Sequence, residues 1–221
     1  MRLVFDGLEK VVEIPAGHPA VLQVENQALF SRLIQAISSQ EGRYAIEPYS
    51  VWNDESEIAP KMATLLISDV FDLPWGDRSL LGEVRKRIEK DLIDDEEARL
   101  DLENAERLFA SRLMALTAGL SADYAFGIEW DLGRSLKMLG FGVDAMPGNK
   151  LIDNLITFLS LALDSKCQKV LVFVNLKTFL TKNELKLFYE HVFYSKNTVL
   201  LFENKQDSND YQYERKYTID Q

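Results

Sequence analysis

Two short apolar runs late in the chain, Lys169–Asn175 (KVLVFVN) and Thr198–Phe202 (TVLLF), constrain this fold more than any other feature. Neither alternates polar with apolar residues, so each predicts a strand buried on both faces, as in a parallel sheet covered by helices. Between them, Thr181-Lys182-Asn183-Glu184 forms a capping box: Thr181 can cap a helix and Glu184 can reach back to its backbone. A helix is therefore expected from there to about Tyr194. Strand, helix and strand within about 35 residues make a βαβ unit with a right-handed crossover.

The N-terminal part supplies matching pieces. Met1–Phe5, Val11–Ile14 and Ala20–Val24 (AVLQV) read as strands, and Ala63–Ser68 (ATLLIS) as a buried one. Glu25-Asn26 offers an N-cap for a helix over about Gln27–Ile37, and one more strand is expected near Tyr44–Glu47. The middle is helical. Leu81, Val84, Ile88 and Leu92 recur at steps of 3, 4 and 4, and Leu102, Ala105, Phe109, Leu113, Leu116 and Leu120 at 3, 4, 4, 3 and 4. These are narrow apolar seams on charged helices, joined across Ile93–Asp95, and they are expected to face each other as a hairpin. A third helix, about Glu129–Leu139, should end at Gly140, and Leu151–Leu163 is an amphipathic helix. The predicted fold class is α/β: a parallel-sheet domain from residues 1–68 and 140–221, with an α-helical insertion at 69–139.

Charge narrows the function. Lys and Arg total 25 against 35 Asp and Glu, a formal charge of −10, which argues against an indiscriminate coat for nucleic acid. Yet Ser165–Lys205 holds seven lysines against three acids, a local 7 − 3 = +4, and Arg32, Arg43 and Lys61 lie in the other half of the sheet domain. A positive face on an acidic protein can admit a polyanion at one surface only. Aromatic residues do not interleave with these lysines, so duplex phosphate contact is the better nucleic-acid reading. No apolar run reaches membrane-spanning length, and MRLVFDGLEK has no signal-peptide pattern. The single cysteine, Cys167, excludes an intramolecular disulfide, so a reducing cytoplasmic location is expected.

Three motifs bear on chemistry. Gly142–Lys150 (GVDAMPGNK) departs from a phosphate loop in glycine spacing, in the Asn149 before Lys150 and in Leu151 where Ser or Thr would bind magnesium. Glu203-Asn204-Lys205 has the E-x-K form of a class of metal-dependent nucleases, but no P-D dipeptide supplies the second aspartate. Asp123, Glu129, Asp131 and Asp144 gather around the third helix; they suit calcium or act as plain caps.

Residues 169–204 (KVLVFVNLKTFLTKNELKLFYEHVFYSKNTVLLFEN) resemble the C-terminal part of the type II-A CRISPR-associated Csn proteins that assist spacer acquisition. The opening, with Phe5 and Leu8, then VLQVEN and the Phe30-Leu33 helix, is similar too, as is Lys61–Val70 leading into the insertion. The resemblance implies a sheet head with a helical leg, similar to nucleotide-binding folds but lacking the phosphate loop. It implies a non-catalytic homotetrameric ring that holds Ca²⁺ and takes double-stranded DNA by its ends. The CRISPR integrase pair and the RNA-guided effector nuclease would be its partners. Carried over by position, Glu129, Asp131 and Asp123 are the calcium candidates, and Lys137 and Lys205 fall where the family tends to be basic. With Lys177, Lys182 and Arg43 from the positive face, they make the candidate DNA-binding set. The alternatives are a nuclease using Glu203 and Lys205, and an α/β interaction scaffold.

Overall fold

The computed structural model describes residues 1–8, 10–122, 124–125, 131–144 and 148–219. The chain divides into two compact units, Met1–Gly76 with Asp144–Gln221, and Asp77–Val143. The first boundary falls later than residue 68 because the stretch after it packs into the first unit: Val70 and Leu73 are buried, Trp75 meets Phe158 edge-on and Phe71 meets Phe179.

Within the first unit, a sheet of five parallel strands runs in the order β6-β7-β8-β3-β9: β3 (Ala20–Val24), β6 (Thr64–Ile67), β7 (Val170–Val174), β8 (Val199–Glu203) and β9 (Arg215–Ile219). Every residue of β3 and β8 is buried, as expected of largely apolar strands in a parallel sheet, and this includes the polar Gln23 and Glu203. Side chains alternate between two cores. Leu22, Val24, Val172, Leu200 and Phe202 share one core with helix α1 (Gln27–Ser39). On the other face Phe173 meets Phe158 of α6 (Leu151–Asp164) and Phe188 of α7 (Lys182–Ser195), both edge-on. Local signals act as anticipated: Leu29 N–H donates to Asn26 Oδ1 at 3.1 Å at the start of α1, and both halves of the Thr181–Glu184 capping box are made.

The N-terminal hairpin stays out of the parallel sheet. It forms an antiparallel sheet in the order β2-β1-β4-β5, from β1 (Arg2–Phe5), β2 (Val12–Glu13), β4 (Tyr49–Asn53) and β5 (Ser56–Ile58). The strand expected near Tyr44–Glu47 is therefore displaced to Tyr49–Asn53. Tyr44, 93% exposed, ends a 3₁₀ turn, whereas Tyr49 and Val51 point into the core beside Phe5. β9 was also not anticipated, because RKYTI carries two charges; a sheet edge tolerates them. A short helix α2 (Pro60–Ala63) leads into β6.

The second unit holds α3 (Arg78–Asp94), α4 (Glu96–Thr117) and α5 (Leu132–Met138). Asp77 caps α3, accepting from Ser79 N at 2.8 Å, and Asp95 both separates α3 from α4 and caps α4. The anticipated hairpin is present, but its second seam is not buried as expected. Phe109 and Leu116 are 55% and 78% exposed, and the buried residue of α4 is Ala110. Ala110 lies one residue on from Phe109, so α4 is turned by about 100° from the seam. Gly140, at φ +70°, terminates the third helix as expected, with Phe141 N–H bonded to Leu136 O at 2.8 Å. No helix among the described residues is long and apolar enough to cross a membrane.

Truncation of Phe173, fully buried between Phe158 and Phe188, should cost about 3–5 kcal/mol in Phe173→Ala. Urea unfolding checks this as a lower midpoint with an unchanged slope.

Candidate functional site

Several polar groups converge at the carboxyl ends of the central strands, where α/β sheets present their ligands. β3 contributes Gln23 and β8 contributes Glu203, both buried although their neighbours are apolar. At the end of β7, Asn175 takes a left-handed conformation (φ 53°), which asparagine tolerates, and its Oδ1 accepts from Asn204 N–H at 3.0 Å. That turn brings Lys177 under the 204–214 connection between β8 and β9. The Lys177 side chain is 10% exposed; its Nζ donates to Asp207 Oδ2 at 2.7 Å and to Glu214 Oε1, and lies 5.4 Å from the centre of the Tyr211 ring. Lys216 Nζ donates to Asp207 Oδ1 at 3.1 Å, Gln23 Nε2 to Asp207 Oδ2 at 3.4 Å, and Tyr189 OH to Glu214 Oε1 at 3.3 Å.

Two lysines face two carboxylates, and Glu203 is the odd charge. Its Oε1 accepts the Lys177 backbone N–H at 3.0 Å, but burial outweighs that bond, and its carboxyl is pushed up to about 7. Burial also raises Glu214, whose Oε2 is buried with no hydrogen-bond donor; Lys216 Nζ stands 3.9 Å away. For Lys177, burial opposes the charge, yet the bonds to Asp207 and Glu214 prevail and raise it. Asp207 is moved below the usual carboxylate range: burial is overcome by the bonds from Lys177 and Lys216.

The candidate DNA-binding residues are only partly brought together. Lys177, Lys182 and Lys205 all lie at this edge: Lys205 is exposed just past β8, and Lys182 Nζ donates to Asn209 Oδ1 at 2.9 Å. Lys177 is thus already matched by carboxylates of its own chain. Arg43 sits elsewhere in the first unit, its guanidinium gripping Glu57 of β5 at 2.6 Å and 3.0 Å. Lys137 is exposed on α5 in the second unit.

Of the calcium candidates, Asp123 and Glu129 lie outside the described residues. Asp131 caps α5, its Oδ1 accepting from Arg134 N–H at 2.6 Å. A carboxylate not singled out by sequence lies beside it: a β-carbon added to Gly133 would meet Glu89 Oε1 at 2.9 Å and Asp131 Oδ1 at 3.3 Å. Both line a cavity of about 270 Å³ with Leu92, Ile93 and Arg99. Among the described residues, no group of three or more acids, histidines or cysteines could hold a metal ion. Asp144 belongs to the first unit. Of the phosphate-loop look-alike, Gly148 has φ +103°, and Lys150 precedes α6 without a side-chain cap.

A family model described as CRISPR-associated protein (Cas_Csn2) matches residues 49–221, which include β4–β9, the helical unit and the whole lysine-rich edge. The chain belongs to the Csn2 family. It is accordingly a CRISPR-associated adaptation protein. The crystal structure of Stu0660 of Streptococcus thermophilus is similar with a TM-score of 0.59 at 15% identity, covering 99% of this chain and 74% of that one; at this identity the likeness concerns the fold. No curated protein matches the sequence. The network around Asp207 and Glu214 was missed by sequence reasoning, although Gln23 and Glu203, lone polar residues in apolar strands, were its visible trace.

Glu203 has a folded carboxyl raised to about 7 from 4.5, so it favours the folded state fully at low pH, and that contribution is lost as pH rises from about 4.5 to about 7. Glu203→Gln keeps an acceptor for the Lys177 N–H but cannot ionise. It should raise stability at pH 8 by up to about 3 kcal/mol and leave it nearly unchanged at pH 4, read by urea unfolding at both values.

Proposed function

We propose that this Csn2-family chain is a non-catalytic adaptation factor that binds the ends of double-stranded DNA without sequence preference. In this reading it works as a calcium-stabilised homotetrameric ring beside the CRISPR integrase pair and the RNA-guided effector nuclease. The observation that carries DNA binding is the lysine-rich carboxyl edge of the parallel sheet, where Lys182 and Lys205 are exposed on a chain of net charge −10. Phosphate attraction needs such a local surface and no base-reading helix. The nuclease alternative is disfavoured by the seat of Glu203: at 3% exposure, with Oε1 taken by Lys177 N–H, it does not present an open carboxylate beside Lys205.

Assembly is supported by the uncovered seam of the second unit, where Leu102, Phe109, Leu116 and Leu120 are all exposed. An apolar stripe of that kind is usually an interface. Calcium would draw on Asp131 and Glu89, with Asp123 and Glu129 as the further carboxylates; bound there, it would offset their mutual repulsion and brace the start of α5.

Labelled linear duplex incubated with protein and divalent metal tests the main reading. A gel shift without cleavage is expected, and affinity should fall roughly tenfold or more from about 50 to about 300 mM salt. Cleavage would instead establish the nuclease.

Gly133→Ala tests the calcium reading by crowding Glu89 Oε1 most closely and the capping oxygen of Asp131 less so. Alanine favours the helix by up to about 1 kcal/mol, so melting in chelator should hold or rise. The added methyl displaces Glu89 from Asp131, so the gain in melting temperature on adding Ca²⁺ should shrink. A wild type that melts alike in Ca²⁺ and chelator removes calcium from the proposal.

A further inference from the structure

The 204–214 connection is fastened in an unusual way. Among the described residues, no backbone-to-backbone hydrogen bond ties 207–213 to any strand or helix; the bond from Glu214 N–H to Tyr211 O is internal. Side chains do the holding, and mostly onto lysines. Asp207 takes both Lys177 and Lys216, Asn209 takes Lys182 through its side chain, and the Asn209 carbonyl accepts a second bond from Lys216. Ring contacts complete the attachment: Tyr211 meets Tyr189 edge-on at 5.6 Å, and Tyr213 stacks on Phe193 at 4.1 Å. Tyr213 holds φ +75°, a left-handed backbone conformation that a tyrosine adopts only under constraint.

These oxygens make the contacts with the lysine ammonium groups that phosphate oxygens would make. We propose that residues 205–213 are an autoinhibitory strap, occupying Lys177, Lys182 and Lys216 in place of a DNA backbone, and that duplex binding lifts it. The inference rests on the DNA-binding reading above and concerns the regulation of the same edge. Asp207 is one-quarter exposed and Lys216 about as much, so a polyanion can reach that pair, whereas Lys177 is more deeply held. Glu214, 2% exposed beside Lys177 and Tyr189, stays as the fixed end where β9 begins, and Glu203 at the end of β8 is the other. Lifting the strap between these ends breaks no ladder bond of the sheet. It adds Lys216 to the exposed Lys182 and Lys205, and releases Lys177 from Asp207 while Glu214 still holds it.

The test compares wild type with Asp207→Asn, which keeps the shape and removes the competing charge. Asp54→Asn, on the hairpin between β4 and β5, controls for net charge alone. Binding of linear duplex is measured at one salt concentration, and amide hydrogen exchange over 204–214 is measured on wild type with and without duplex. Asp207→Asn should bind about two- to fivefold more tightly, Asp54→Asn should match wild type, and the strap amides should exchange faster in the complex. A folded Asp207→Asn that binds no more tightly than wild type, or than Asp54→Asn, overturns the strap and leaves DNA binding in place. So do strap amides that exchange no faster in the complex. If neither wild type nor Asp207→Asn shifts duplex, the DNA-binding reading itself fails and the strap with it. Should Asp207→Asn not fold, exchange in the wild-type complex decides alone.

Discussion

The two central strands of the parallel sheet, β3 and β8, have no face left for water, and the arrangement of the first unit answers that constraint. One face is closed by α1 and the antiparallel sheet, the other by α6 and α7. Such a core leaves few places for polar chemistry. Gln23 and Glu203 are polar positions within these strands, and both lie at the carboxyl ends, where the strands leave the apolar layers and a loop can reach them.

Charge at that edge is arranged so that each buried group depends on its neighbours. Lys177 and Lys216 balance Asp207 and Glu214, which lets the site sit beneath the 204–214 connection without an isolated charge. Glu203 is the exception, and burial resolves it by keeping the proton on to about neutral pH. Removing one member of such a set costs more than the pair is worth, because the partner is then buried alone. Lys205, just past β8, is by contrast exposed to solvent.

The second unit follows a different logic. Its helices are capped by Asp77, Asp95 and Asp131 and laced with surface charge, so they form without a large core. The turn of α4 puts Ala110 inward and leaves Phe109 and Leu116 in water.

Local patterns by themselves determined much of this protein. Apolar runs at β7 and β8, the Thr181–Glu184 box, the Asn26 cap and the Gly140 stop are short-range signals, set by steric and hydrogen-bonding rules that act within a few residues. They were readable without coordinates and made the βαβ core and the helical insertion legible. Tertiary structure alone decided the rest. The separate antiparallel sheet and the edge strand β9 depend on pairings between segments as far apart as β3 and β9, which no local pattern encodes. The same holds for the site: Lys177 looked like a surface lysine, and only the return of the chain after β8 sets Asp207 and Glu214 against it. Charge pairs between distant segments carry no sequence period, because their energy depends on distance and burial, and both are settled only once the sheet has closed.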